Sequence, residues 1–250
     1  MNGDSETSGV MNGVSKTRGV MNNASKTKDA LGSTSKTSGA ASVGVITFPG
    51  TNCDQDVVKM VNAHGHRAVP LWHKDTFEIS SVDSVIIPGG FSYGDYLRCG
   101  ALAARAPVMS SVRELAKQGK PVLGICNGFQ ILCEAGLLPG VLVRNSHGRF
   151  TDKWIDLETV NKNAYFSKSD KKKLRLPIAR GEGRFFADKE TLQKIEDQGM
   201  VWFRYTQDVN GSANNIAGIM NKEKNVCALM PHPERAMFDW MGGADGFQFI

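Results

Sequence analysis

The segment Gly124-Ile125-Cys126-Asn127-Gly128 sets a thiol between an apolar run, KPVLGI, and the apolar, helix-competent stretch FQILCEAG. A strand that turns sharply into a helix presents the side chain at the corner, and glycines two positions to either side keep Cβ atoms out of the crowded backbone. The first N–H groups of the helix then point at that corner and favour negative charge there. A thiol of ordinary pKa, about 8.5, is only a few per cent thiolate at neutral pH, so a nucleophile here needs an imidazole beside it. Of the five histidines, His232 stands apart: it follows the apolar run NVCALM and lies two residues before a carboxylate, in Pro231-His232-Pro233-Glu234-Arg235. Prolines on both sides predict an extended backbone, which would put residues two apart on one side and let Glu234 orient the imidazole. Cys126 as nucleophile, His232 as base and Glu234 as orienter form an acyl-transfer set.

The elements around these residues must bring them to one edge. VGVITFPG (43 to 50) reads as a buried strand stopped by Pro49-Gly50. A helix follows in DQDVVKMVNAHG, capped by Asp54, with Val57, Val58 and Val61 on one face and Gly65 as its left-handed stop. Further strands are predicted at about 67 to 72, in SVIIPGG (84 to 90) and in KPVLGI (120 to 125), with a helical stretch interrupted at Pro107 before the last. Strands alternating with helices predict an α/β fold with a doubly wound, mostly parallel sheet, whose chemistry sits at the carboxyl ends of the strands. After residue 138 the runs VLVRN, KWIDLETV, LRLPIAR, MVWFRY, NIAGIMN and NVCALMP add strands to the same core.

At 250 residues and 41% apolar content the chain can build one sizeable core, assigned here to residues 42 to 250. The first 41 residues are a decaying repeat of about ten, from MNGDSETSGV to LGSTSKTSGA. Rich in Ser, Thr, Gly and Asn, they carry too little apolar surface to offset ordering entropy, and a disordered extension is expected. Organellar targeting by this segment is the lesser alternative to a cytoplasmic location, because it holds one arginine and lacks an amphipathic pattern. No run is long enough for a membrane span, and no secretory signal is visible. The net charge of +5 is split, since five basic residues face three acidic ones before residue 42. Without a basic stripe interleaved with aromatics, neither nucleic acid nor membrane is an expected partner, and the KSDKKK run at 168 to 173 reads as a solvated loop. Five scattered cysteines do not form a disulfide framework; Cys53, Cys99, Cys133 and Cys227 read as small buried hydrophobes. No Cys/His pairing has metal-site spacing and no GxxxxGK[ST] occurs, so no metal and no nucleotide are expected in this chain.

GICNGFQIL with the downstream HPER resembles the class I (triad) glutamine amidotransferases, whose elbow reads GxCxGxQ and whose His and Glu lie two apart. FPGTNCDQD, PGGFSYGDYLRCGALA, RNSHGRF, DVNGS, MPHPERA and GGADG are similar to the branch of that family that serves purine synthesis, and the likeness runs from 43 to 250. The resemblance implies that Cys126 attacks the side-chain amide of glutamine to give a thioester and ammonia. It also implies an oxyanion hole from the backbone N–H groups of Gly90 and Asn127, and a substrate site formed by Gln130, Asn145, Ser146 and Phe150. Ammonia would pass to a large synthetase subunit that holds ATP and Mg and amidates formylglycinamide ribonucleotide, assembled with a small adaptor subunit. The PGG turn at 88 to 90 would be the movable part, because a glycine peptide flips at little steric cost. One departure stands out: where the family often reads IAHGEGR, this chain has Arg180 in Ala179-Arg180-Gly181-Glu182-Gly183-Arg184. The rivals are another triad glutaminase, a γ-glutamyl hydrolase on the same fold, and a catalytically silent assembly subunit.

Because the repeat segment offers no core, a chain truncated to begin near Ser42 is expected to keep its melting temperature and its ammonia production. A drop of several degrees in a thermal melt would show that the repeats pack on the domain.

Overall fold

The computed structural model describes residues 39–167 and 171–250. The expected disorder of the repeats, and part of the basic run, therefore lie outside the described residues. From that run Lys173 is not loop: it begins a strand, and Lys171 pairs with Asp245 at 2.8 Å.

The chain forms β1 (Ser42–Thr47), α1 (Asp54–Ala63), β2 (Arg67–Trp72), β3 (Ser84–Ile87), α2 (Val108–Lys117), β4 (Val122–Ile125) and α3 (Asn127–Glu134). Then follow β5 (Val141–Val143), β6 (Thr151–Thr159), β7 (Lys173–Arg180), β8 (Arg184–Phe186), α4 (Lys189–Asp197), β9 (Val201–Tyr205), β10 (Ile216–Met220) and β11 (Val226–Leu229). Nine of these strands make one sheet in the order β2-β1-β3-β4-β11-β10-β9-β6-β7. The first five run parallel, and β10, β9, β6 and β7 extend the sheet by antiparallel pairing. The inner parallel strands β1, β3, β4 and β11 are buried on both faces, as the unbroken apolar runs in β3, β4 and β11 require, while β2 at the edge is largely exposed. One predicted strand leaves this sheet: β5 pairs with β8 in a two-stranded ribbon against α3.

Chain order reverses between β1 and β3, because β2 lies to one side of β1 and β3 to the other. That switch opens a crevice beyond the carboxyl ends of the strands, and the segments 48–53, 88–91, 126–130 and 230–235 all follow parallel strands into this region. Two local expectations need correction. Asp54 does not cap α1: Cys53 occupies the cap position without a side-chain bond, and the Asp54 carboxylate instead accepts from Thr47 Oγ1 at 3.3 Å. The buried face of α1 is Val57, Met60 and Val61, with Val58 only half-buried: at about 100° per residue, positions 58 and 60 flank the two valines at equal angles, and packing covers the Met60 side. Gly65 does take the left-handed conformation (φ 73°) that ends the helix.

The turn between β4 and α3 is held closed by its glycines. A Cβ on Gly124 would lie 2.7 Å from the Gly128 carbonyl, and one on Gly128 would overlap the Ile87 carbonyl oxygen on the neighbouring strand end. Gly128→Ala is therefore expected to destabilise the protein by about 3 kcal/mol, a fall in melting temperature of roughly 6–12 °C by calorimetry. An unchanged melting temperature would show that the elbow backbone gives way freely.

Candidate active site

Cys126 sits at the corner with φ 52° and ψ −102°, a conformation that a residue with a side chain adopts only under strain of roughly 1–3 kcal/mol. Its N–H donates to the Leu229 carbonyl at 2.9 Å, which ties the ends of β4 and β11 together in register. His232 lies three residues beyond β11, and its backbone N–H donates to the Pro177 carbonyl of β7 at 2.8 Å. The prolines act differently from expectation. Pro233 does not prolong an extended chain; it starts a single tight helical turn, Pro233–Arg235, because a ring-fixed φ and a missing N–H suit the first helical position. That turn swings Glu234 back so that its Oε1 meets His232 Nδ1 at 2.6 Å, with both residues buried.

The other side of the imidazole meets two thiols, those of Cys126 and Cys53, and no nitrogen or oxygen atom partners Nε2. Burial opposes ionisation of Cys126, but the charge and hydrogen bond of His232, aided by the Arg180 guanidinium, outweigh it and hold the thiol below its ordinary pKa. Burial likewise disfavours the imidazolium, yet Glu234 and the Cys126 thiolate raise His232 well above the usual histidine value. The surroundings thus bias the thiol toward thiolate and the imidazole toward imidazolium, with Glu234 behind the pair. Cys53 Sγ, an imidazole nitrogen and a Glu234 oxygen lie within 4.8 Å of one another, close enough to hold a metal ion, but the Glu234 oxygen facing Nδ1 is already committed to that hydrogen bond.

A cavity of about 120 Å³ opens on the thiol, lined by Asn52, Cys53, Gly90, Phe91, Cys126, Phe150, Ala179, Arg180, His232 and Arg235. Cys126, His232, Gly90 and Phe150 of the expected site therefore share one wall, and Glu234 stands behind it. Asn127 opens α3, where its N–H has no acceptor within the helix. Gly90 (φ 144°) fits only as glycine, since a Cβ would lie 2.8 Å from the backbone of residues 50 to 52. Gln130, Asn145 and Ser146 do not line the cavity. Gln130 accepts from Asn127 Nδ2 and donates to the Glu182 carbonyl, and Ser146 is exposed. The buried Asn145 amide reaches the Arg149 and Arg180 carbonyls, Thr151 and the Gly183 N–H. Nor is the PGG turn free to flip: the Gly89 carbonyl accepts from Cys53 N–H, the Gly90 carbonyl from Arg180 and Phe91 N–H is held by Gly50. Each of these bonds would have to break or re-form, so glycine's conformational freedom alone does not make the turn movable.

Three further residues belong to this site. Gly89 packs so closely on the pair that a Cβ there would lie 2.8 Å from His232 Cε1 and 3.4 Å from Cys126 Cβ. Cys53 is buried as expected, but its thiol also accepts from Arg235 Nη2 at 3.1 Å, so it is more than filler. Arg180, seen in sequence only as an oddity, reaches the turn of Gly90. Gly89 lies just past β3, Arg180 is the last residue of β7 and Cys53 caps the helix that follows β1, all on the edge that a parallel sheet reserves for ligands.

The domain family described as CobB/CobQ-like glutamine amidotransferase matches residues 40–244. Phosphoribosylformylglycinamidine synthase subunit PurQ of Nostoc sp. is 52% identical over 211 residues, covering 83% of this chain and 94% of that protein. The protein of the same name from Trichormus variabilis matches at the same identity and coverage. The solved structure of PurLQS from Thermotoga maritima contains a chain that superposes with a TM-score of 0.76 at 42% identity, covering 84% of this chain and 95% of that one.

Because His232 and Arg180 hold the Cys126 thiol below its ordinary pKa, its alkylation by iodoacetamide should slow less between pH 9 and pH 7 than that of a free thiol. A free thiol of pKa about 8.5 would slow by roughly 25-fold over that interval. The sign follows from the lowered Cys126 pKa: the rate falls only when acid protonates the thiolate. A 25-fold loss measured by mass spectrometry at this residue would exclude the lowered pKa.

Proposed function

The chain belongs to the glutamine amidotransferase family, and on that premise we propose that it is the glutaminase subunit of a phosphoribosylformylglycinamidine synthase. The observation that carries this reading is the buried Cys126, His232 and Glu234 set on the strained turn. The Cys126 thiolate attacks the side-chain carbonyl carbon of glutamine, and the electron pair of the C=O bond moves onto oxygen. The N–H groups of Asn127 and Gly90 hold that oxyanion; losing one such donor costs about 3 kcal/mol. The His232 imidazolium gives its proton to the departing nitrogen, the C–N bond breaks and ammonia leaves a glutamyl thioester. His232, now neutral, takes a proton from water, whose oxygen attacks the thioester carbonyl and releases glutamate and the thiolate. Glu234 keeps the tautomer and orientation throughout. Phe150, 54% exposed at the mouth of the cavity, would close over the substrate, while Gln130, Asn145 and Ser146 shape the loops around it.

Ammonia released into water is protonated and lost, so its consumer must cover this site. The synthetase subunit that we propose as partner would hold ATP and Mg and the formylglycinamide ribonucleotide, with a small adaptor completing the complex. Exposed apolar side chains support a covering partner: Phe91 and Phe150 at the cavity, and Tyr96 (74% exposed) and Leu97 (87% exposed) on the segment that continues from Phe91. Five free cysteines and the absence, among the described residues, of any helix long and apolar enough to cross a membrane fit the cytoplasmic location that we propose.

Ammonia release from glutamine, measured for the chain alone and after assembly with the synthetase and its ribonucleotide, is expected to rise at least about tenfold on assembly. Equal turnover in both states would favour a stand-alone amidohydrolase. No turnover in either state would favour a silent assembly subunit.

A further inference from the structure

Arg180 is the last residue of β7 and transfers no proton and forms no bond in the reaction above. It is nevertheless among the largest fully buried side chains, 2% exposed, and its charge lies within the walls of the cavity. Its guanidinium makes three directed contacts: Nη1 donates to the Gly90 carbonyl at 2.6 Å, and Nη2 donates to Asp95 Oδ2 at 2.6 Å and to Cys99 Sγ at 2.9 Å. It also lies 4.6 Å over the Phe91 ring. A planar fork with fixed N–H directions can hold a carbonyl, a carboxylate and a ring face at once, which neither a point-charge lysine nor an imidazole can do.

The partners of that fork share one segment, residues 90 to 99, and that segment is strained. Tyr93, Asp95 and Leu97 all have positive φ (53°, 57° and 67°) without being glycine. Strain of this kind persists only where surrounding contacts over-determine it. The contacts here include the fork, Phe91 N–H to the Gly50 carbonyl at 2.9 Å, Tyr93 N–H to the Pro49 carbonyl at 2.6 Å, Ser92 N–H to Asn127 Oδ1 at 3.1 Å and the Tyr93 hydroxyl with His73 Nδ1 at 2.6 Å.

We infer that Arg180 is a positioning residue for the oxyanion hole: its fork pins the Gly90–Phe91 peptide through the Gly90 carbonyl and ties it to Asp95, and together with the Cys53 N–H on the Gly89 carbonyl this fixes both peptides that flank Gly90 and so the direction of its N–H. The inference rests on the glutaminase reading given above. It accounts for a buried cation beside a nucleophile without making that cation a substrate ligand. Arg180 also acts on Cys126 through its charge, so a test must separate position from field. The titratable and charged groups that face Cys126 are His232 and Glu234 beyond β11, Arg180 on β7 and Tyr205 on β9. Of these, Arg180 is the one that hydrogen-bonds to the oxyanion turn.

Three variants of the full chain, Arg180→Lys, Arg180→Gln and Asp95→Asn, make the separation. Each is read by glutamine turnover in the assembled complex, by labelling of Cys126 with a chloroketone analogue of glutamine, and by iodoacetamide alkylation against pH. The chloroketone forms a tetrahedral adduct that needs the oxyanion donors; iodoacetamide does not. Arg180→Lys keeps the charge and loses the fork, so kcat and chloroketone labelling should fall roughly 10- to 100-fold while KM stays within about threefold and the iodoacetamide profile is unchanged. Asp95→Asn should give a smaller loss of the same pattern. Arg180→Gln should add a shift of the iodoacetamide profile to higher pH. If Arg180→Gln fails to fold, judged by its melting curve, the other two variants still decide. Wild-type kcat in Arg180→Lys, or a kcat loss that only mirrors the iodoacetamide loss, overturns the inference. A wild-type complex that releases no ammonia, yet shows the chloroketone and iodoacetamide pattern above, refutes the glutaminase reading and leaves the positioning role standing.

Discussion

A thiol and an imidazole buried side by side and biased toward thiolate and imidazolium stay so only if neither can relax away from the other, and much of this structure serves that constraint. Removing either charge from water is unfavourable, and their mutual attraction offsets the loss only at close contact with a third group to balance the pair. Glu234 supplies that balance at 2.6 Å from Nδ1. The strained backbone of Cys126 supplies the contact, because a relaxed φ would carry the thiol away from the corner. The strain is held by the parallel register of β4 and β11 and by two glycines that let α3 lie directly against the sheet.

The same demand explains the composition of the cavity walls. Gly89 and Gly90 stand where any side chain would strike the imidazole or the segment at 50 to 52. Cys53 and Arg235 close the side of the imidazole away from the sheet, and Arg235 is itself anchored on Asp56 of α1 at 3.3 Å. Arg180 closes the side toward the antiparallel extension. Each backbone segment that enters the site follows a strand of the sheet or packs on one, so catalytic geometry is inherited from the sheet and not from mobile loops.

The antiparallel strands have a function in this arrangement besides enlarging the core. β7 carries Arg180 at one end and, through the Pro177 carbonyl, holds the backbone of His232. β10, β9 and β6 fill the sheet between β11 and β7, and the bond from His232 N–H to the Pro177 carbonyl brings β7 directly against the triad segment. Asn145 has a comparable duty outside the sheet: it joins the loop after β5, the end of β7 and the 183 and 210 segments through one buried amide. A polar side chain satisfied at every atom fixes a loop more firmly than apolar contact can.

Local chemistry was sufficient to read the elbow, the triad and the parallel half of the fold from sequence. Gly-x-Cys-x-Gly between an apolar strand and a helix has one steric solution, and a His and Glu after an apolar strand complete the set whichever way their turn is built. The limits were equally physical. The pairing of β10, β9, β6 and β7, and the departure of β5 to a separate ribbon, depend on which edges are left open once the core has formed, and apolar runs carry no such information. The tight turn at Pro233 in place of extended chain, and Met60 in place of Val58 in the core, were decided by packing against neighbours. Arg180 could be noticed in the sequence but not understood there, because Gly90, Asp95 and Cys99 are 81 or more residues away. Only the folded sheet brings a strand end on its far side against the oxyanion turn, where a buried guanidinium finds three partners at once.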